Sequence, residues 1–349
     1  MEKRKNNIYE LVRANVLHMK PYSSARDEFK DFHKEMIFLD ANENPNNNGV
    51  NRYPDPKQQR LKQLLADRKK VSVDEILLGN GSDEVLDLIF RVFCEPSRDE
   101  VITLPPTYGM YKVLCETNDV ECVEVPLTTN FQLNVPEIIQ AQTPNTKLLF
   151  ICSPNNPSGN MMSDNSIIKL LEQFNGIVVI DEAYIDFTDR TSWVDRIGQY
   201  NNLIITQTLS KAYGMAGIRL GVCYASAEII ALLTKIKPPY NVNTLSQAYA
   251  IEGLMKESSV REQVQALVSE RKRLVEALNH IPMVKKVFDS DANFVLIRVD
   301  DAEKRYHQLV ERGIVVRNRS SQLHCENTLR ITVGTLEENN LIIHTLKDL

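Results

Sequence analysis

No two cysteines of this sequence stand at C-x-x-C spacing, although there are six of them: Cys94, Cys115, Cys122, Cys152, Cys223 and Cys325. That absence argues against zinc-ribbon sites and the dithiol redox motif. Several of the thiols sit among apolar residues, as in LFICS and LGVCYA, and read as buried free cysteines of a reducing compartment. The six histidines are scattered without H-E-x-x-H spacing, so no metal is expected. No apolar stretch approaches the ~18 residues of a membrane span, and the basic N-terminus MEKRKNNIYELVRANVLHMK lacks the apolar core of a secretory signal. No membrane partner is expected, and the cytoplasm is the default location. Basic residues never form a run longer than KRK, and the net charge is -5, so no nucleic-acid footprint is present. Neither G-x-x-x-x-G-K nor a G-x-G-x-x-G at the first strand occurs, which argues against a P-loop and a dinucleotide fold.

What is present is a chain of 349 residues, 43% apolar, long enough for about two domains. From Ile76 to Leu209, short apolar runs alternate with amphipathic stretches: EILLG, EVITLP, KLLFICS, GIVVIDEAY and NLIITQTLS against DEVLDLIFRVF and SIIKLLEQF. The runs are apolar throughout, as suits strands covered on both faces. The expectation is an α/β domain with a mostly parallel sheet between helical layers. IKPPY at 236–240 interrupts any helix there. Beyond it Val264, Leu267, Val268, Leu274, Val275 and Leu278 follow a helical spacing broken only by Arg271. The segments NFVLIRV, GIVVR and TLRITVG then read as strands of a smaller α+β domain, separated by the helical AEKRYHQLVERG and followed by the helical EENNLIIHTLKDL. The loop DANENPNNNGVNRYPDP is long and turn-rich, which in a compact domain often signals function.

Ligands of open α/β sheets bind at the carboxyl ends of the strands, so the residues that follow each apolar run are the candidates. GNGSDE, after Leu78, puts glycines and Ser82–Asp83 ahead of a helix, either as an anion site or as an ordinary cap. SPNNPSG, with Asn156, is a turn on its own terms. Asp181 closes GIVVI, placed to meet a cationic ring nitrogen or to serve as a structural partner; Tyr184 follows three residues on. Lys211, in TLSKAYGMAGIRLG, is a snorkelling lysine or an amine whose pKa burial and nearby cations lower until it adds to a carbonyl. Together, Lys211 for an aldehyde, the Gly81–Asp83 turn with Arg219 for a phosphate and Asp181 for a pyridinium match the three groups of pyridoxal 5'-phosphate.

SPNNPSG, DEAYIDF and TLSKAYGMAGIRLG, in this order, resemble the fold-type I pyridoxal-phosphate aminotransferases. NRYPDP, FCEP, PPTYGMY, VFDS and LRITVG, with PYSSAR near the start, are similar to the histidinol-phosphate aminotransferase family, from Leu11 to the end. NPSG stands where that family more often has NPTG, and Tyr213 where it more often has phenylalanine.

The resemblance implies that Lys211 bonds the cofactor aldehyde and shuttles a proton, and that Asp181 pairs with the ring nitrogen. It implies that Asn156 and Tyr184 hold the ring oxygen and Tyr108 stacks on the ring, with Ser82, Asp83, Thr208, Ser210 and Arg219 around the phosphate. Tyr53 is expected from the other subunit of a homodimer. Tyr22, Arg317 and Arg330, with Asn156, are expected to contact substrate, Arg330 gripping either the carboxylate of glutamate or the phosphate of histidinol phosphate. The implied domains are an arm over 1–35 packing on the small domain and the partner, a large domain over 36–245 and a small domain over 246–349. The implied reaction is amino transfer between L-histidinol phosphate plus 2-oxoglutarate and imidazole-acetol phosphate plus L-glutamate. An aromatic amino acid aminotransferase or a threonine-phosphate decarboxylase would share Lys211 and Asp181. A non-catalytic cofactor sensor would be expected to carry a DNA-binding segment or to lack the lysine.

Overall fold

The structure, a computed structural model, describes residues 7–22 and 37–349. Most of the expected arm, and the last four residues of PYSSAR, lie outside them. In chain order come the short helices α1 (Ile8–Leu11) and α2 (Ala14–His18), helix α3 (Gln59–Lys69), strand β1 (Ile76–Asn80), α4 (Ser82–Phe93), β2 (Glu100–Thr103), α5 (Met110–Thr117), β3 (Glu121–Glu124), α6 (Val135–Gln140), β4 (Thr146–Cys152), α7 (Asp164–Gln173), β5 (Ile177–Asp181), β6 (Leu203–Thr208), β7 (Leu220–Ala225) and α8 (Ala227–Ile236). After these follow α9 (Thr244–Met255), α10 (Glu257–Asn279), β8 (Val284–Val287), β9 (Phe294–Val299), α11 (Ala302–Glu311), β10 (Arg317–Asn318), β11 (Thr328–Thr332) and α12 (Leu336–Lys347).

Seven strands form one sheet in the order β1-β7-β6-β5-β4-β2-β3. All run parallel except β7, which is antiparallel to both β1 and β6. Side chains of its central strands alternate between two cores, as period-2 geometry requires. Leu149, Ile151, Val178, Ile180 and Ile205 join one core, with residues of α3, α7 and α9. Leu148, Phe150, Ile177, Val179 and Ile204 join the other, with residues of α4, α5 and α8. Both faces are therefore covered, which is why the runs are continuously apolar. The second sheet, β10-β11-β9-β8, is antiparallel and shares a core with α10, α11 and α12. A large α/β/α unit with a smaller α+β unit is the expected fold class.

Several details differ from the expectation. The edge strand β3 and the reversed strand β7 extend the sheet beyond the strands anticipated. Of GIVVR, only Arg317 pairs in a strand: Gly313, at φ +77° just past α11, starts a turn, and Val315 is 78% exposed. Helix α9 packs on α3, and its Ala250 and Leu254 join the core beneath the large sheet. The described part of the arm, 7–22, packs on the large unit rather than the small one. Ile8, Val12 and Val16 enter the α4/α8 core, and Lys235 Nζ donates to the carbonyl of Leu17 at 3.1 Å.

Arg271, the break in the apolar stripe of α10, is buried. Its Nη1 donates to the carbonyls of Ala292 (2.6 Å) and Phe187 (3.3 Å). One side chain thus ties the small unit to the loop after β5.

Candidate active site

Strands β1, β4, β5 and β6 deliver their carboxyl ends to one edge of the large sheet, and a single cavity there is lined by Ser82, Asp83, Tyr108, Asn156, Asp181, Tyr184, Thr208, Ser210, Lys211 and Arg219. All ten were singled out in the sequence. Because β7 runs against its neighbours, its first residue lies at the same edge, and Arg219 immediately precedes it. A bridge between Gly81 and Leu220 joins the two turns.

The GNGSDE turn has no side-chain cap. Helix α4 begins at Ser82 with Gly81 as N-cap, and no side chain accepts from its first amides. Those amides and the helix dipole are therefore available to an anion. Gly81 has φ +86°, and a Cβ there would lie 2.7 Å from Arg219 Nη2, so only glycine lets the guanidinium approach the helix start. A Cβ on Gly221 would lie 2.3 Å from the Ser82 nitrogen, which fixes the second close approach. Arg219 is held by Asp83 Oδ2 at 3.6 Å, and Asp83 Oδ1 accepts from Tyr108 OH at 3.1 Å. Thr208 Oγ1 donates to Leu220 O (3.2 Å) and accepts from the Ser210 amide (3.1 Å). Two hydroxyls, free helical amides and an arginine thus surround one small volume, a donor set suited to phosphate.

Asp181 is 3% exposed at the end of β5. It accepts from Tyr111 OH at 2.8 Å and from the Ala183 amide at 3.1 Å. Burial raises its pKa, and these donors oppose the rise. A cationic group in the cavity would favour its ionised form. Lys211 is exposed at the cavity mouth as a residue, yet desolvation first, and the charge of Arg330 second, lower its amine below the ordinary lysine value. Its Nζ lies 5.8 Å from the ring centroid of Tyr184, whose hydroxyl burial pushes upward in pKa. A softened amine, a buried carboxyl and a phosphate-type cradle fit the cofactor that the resemblance implies.

The small sheet reaches the same place through Arg330. Its Nη1 donates to Asn156 Oδ1 at 2.6 Å, and its guanidinium lies 5.1 Å from the Phe294 ring centroid. With that oxygen committed, the Asn156 NH2 is the end left to donate to a ligand. Arg317 lies directly opposite Arg330 on β10.

Two expected residues stand elsewhere. Tyr53, 49% exposed, stacks on Tyr240 at 4.6 Å within a separate surface groove. Tyr22, expected at the substrate, is 72% exposed and lines a groove with Pro56, Lys62 and Lys235. The hydrogen bond from Lys235 to the carbonyl of Leu17 holds the preceding segment on α8, which delivers Tyr22 to that surface instead of the cavity.

Two residues escaped the sequence reading. Tyr111, fully buried and stacked on Phe150 at 4.8 Å, supports Asp181; it follows Tyr108 by one helical turn, a spacing that could have pointed to it. Arg319 follows Arg317 by two, the strand period.

Residues 23–346 match the model of the aminotransferase class I and II family. The histidinol-phosphate aminotransferase of Flavobacterium psychrophilum is 58% identical over 98% of this chain and 99% of that protein. Among solved structures, the histidinol-phosphate aminotransferase from Clostridium acetobutylicum superposes with a TM-score of 0.79 at 29% identity, covering 86% of this chain and 90% of that one. The enzyme of that name from Sinorhizobium meliloti, in complex with pyridoxal-5'-phosphate, gives a TM-score of 0.77 at 23% identity over 85% and 82%. The chain belongs to the aminotransferase class I and II family and, within it, to the histidinol-phosphate aminotransferases.

Proposed function

We infer that this protein is a pyridoxal-phosphate-dependent transaminase that interconverts L-histidinol phosphate plus 2-oxoglutarate with imidazole-acetol phosphate plus L-glutamate, a step of L-histidine biosynthesis. The observation that carries the reading is the convergence of Lys211, Asp181 and the uncapped start of α4 on one cavity, in a chain 58% identical to a histidinol-phosphate aminotransferase.

When bound, pyridoxal phosphate supplies an aldehyde for the amine and a ring that accepts the electron pair left as the substrate carbon loses its proton. The chain's residues do the rest. The amides of Ser82 and Asp83, the hydroxyls of Thr208 and Ser210, and Arg219 hold the phosphate. Asp181, oriented by Tyr111, keeps the ring nitrogen protonated. Asn156 and Tyr184 would donate to the ring oxygen, and Tyr108 would pack on the ring. Lys211 Nζ would hold the cofactor through its aldehyde, and its neutral amine would take and return the proton at the amine-bearing carbon of the substrate. Arg330, fixed by Asn156, grips the anionic end of each substrate bidentately, with Arg317 beside it.

A homodimer completes the site in this reading, with the partner subunit's Tyr53 reaching the cofactor phosphate. The exposed Tyr53, Leu245, Tyr249 and Met255 support such an interface. Among the described residues no helix is long and apolar enough to cross a membrane, and all six cysteines are free thiols, which favours the reducing cytoplasm.

The test is a donor panel. Enzyme loaded with pyridoxal phosphate is mixed with equal concentrations of histidinol phosphate, phenylalanine or threonine phosphate, and conversion of the cofactor to its aminated form is followed. Histidinol phosphate should react fastest, and steady-state kinetics with 2-oxoglutarate should be ping-pong. Faster reaction of phenylalanine, or release of carbon dioxide from threonine phosphate, would overturn the substrate assignment.

A further inference from the structure

On the face of the small sheet turned to Asn156 and Tyr184 stand three arginines, of which the resemblance accounts for two. Arg317 and Arg330 are directly opposed across β10 and β11, so their side chains leave the same face. The ladder continues past β10: the Arg319 amide donates to the carbonyl of Thr328 at 2.9 Å. Two residues along an extended strand return to the same face, which places Arg319 beside the other two.

Arg319 has no ion pair with any carboxylate among the described residues. Its Nε, like that of Arg330, is buried without a hydrogen-bond partner. Its charge and that of Arg330 disfavour one another, and both act on Tyr184. Like charges gathered on one face are destabilising, and buried guanidinium donors without partners are costly. The two arginines buried as whole residues among the described ones are both satisfied: Arg271 Nη1 donates to two carbonyls, and Arg305 pairs with Asp300. The cluster is therefore built for an anion that arrives with the substrate.

The charge of that anion decides what the third arginine is for. A carboxylate carries one negative charge and two oxygens, which one guanidinium fork satisfies. A phosphate monoester carries about -1.5 to -2 at neutral pH and three acceptor oxygens, more than one fork covers. We propose that Arg319 is a specificity-determining residue that donates to the phosphate group of the amino donor, so that the enzyme selects a phosphomonoester dianion over a carboxylate. The proposal rests on the histidinol-phosphate reading above and adds a contact to it.

Arg319→Gln and Arg319→Lys are compared with wild type in single-turnover half-reactions with histidinol phosphate, with unphosphorylated histidinol and with glutamate, and their melting curves are recorded. In Arg319→Gln, kcat/KM for histidinol phosphate should fall about tenfold or more, the scale of one charge-assisted hydrogen bond, mostly through KM. Glutamate and histidinol should change less than about threefold. Arg319→Lys, which keeps the charge and loses the fork, should recover part of the loss. Equal losses on all three substrates, with or without a lowered melting temperature, would show a structural role and overturn the proposal, as would an unchanged histidinol-phosphate rate. A wild-type enzyme that fails to use histidinol phosphate at all removes the functional reading, and the proposal with it.

Discussion

Lys211 owes its reactivity to where its amine stands, and the direction of its pKa shift can be read in solution. Burial and Arg330 lower the amine from its ordinary 10.5; a lowered pKa means that the neutral, nucleophilic form exists at lower pH. Capture of added pyridoxal phosphate by the cofactor-free protein should rise with pH to a midpoint below 10.5, followed by the yellow colour of the bound cofactor. In Arg330→Gln the midpoint should move up, but only in part, since desolvation is the larger cause. Lys211→Ala should still bind cofactor through Asp181 and the phosphate cradle, and should lose multiple turnover; full turnover in that variant would refute the assignment. Lys211, Asp181, Asn156 and Arg219 were legible because each sits just beyond an apolar run or inside a motif, where a polar group has to meet either solvent or a ligand. Tyr111 was not: its contact with Asp181 spans 70 positions, and in sequence it is one more aromatic on the apolar side of a helix. The surface placement of Tyr22 was not legible for the complementary reason, since its neighbours are chosen by how α2 docks on α8.

The elements hold these groups in place through a few close approaches. Gly81 is where α4 and the turn before β7 come together, and its replacement gives a local test. Gly81→Ala should weaken pyridoxal phosphate binding about tenfold or more, because φ +86° and the nearby Arg219 both oppose a side chain; unchanged affinity by cofactor titration would deny the cradle its role. Arg271→Met keeps the aliphatic bulk but leaves the carbonyls of Ala292 and Phe187 without their donor. It should cost about 2 kcal/mol in urea unfolding, within the range for buried charged hydrogen bonds; a loss well below 1 kcal/mol would mean that water replaces the guanidinium. At this scale the sequence revealed the buried parallel strands, whose apolar runs respond to cover on both faces, and α10, whose stripe Arg271 interrupts. It did not reveal β7, where the glycine-containing LGVCYA reads as the tail of a motif. GIVVR was overread, since apolar residues in a turn after Gly313 look the same as those in a strand.

For the molecule as a whole, the proposed dimer makes a prediction that single-subunit variants cannot. Lys211→Ala and Tyr53→Ala chains, each impaired alone, should regain activity when mixed and refolded together. In the hybrid, one site joins an intact Lys211 to the partner's intact Tyr53, and up to about a quarter of the wild-type rate per subunit is expected if assembly is random. No recovery would place Tyr53 in its own subunit's site or in none. The two-unit division was visible in the change from parallel to antiparallel patterning, while the packing of α9 was not, because Ala250 and Leu254 touch a core built by residues far upstream. The hydrogen bond from Arg330 to Asn156 crosses 174 positions of chain, and this has a consequence for the order in which the protein comes into being. Synthesis proceeds from the N-terminus and domains fold as units. The cradle, Asp181 and Lys211 are all made by residue 219, whereas Arg317, Arg319 and Arg330 emerge among the last. A nascent chain therefore acquires the proposed cofactor cradle, and Asn156 with it, well before the three arginines of the small sheet, and a chain cut short of Arg317 would lack all three.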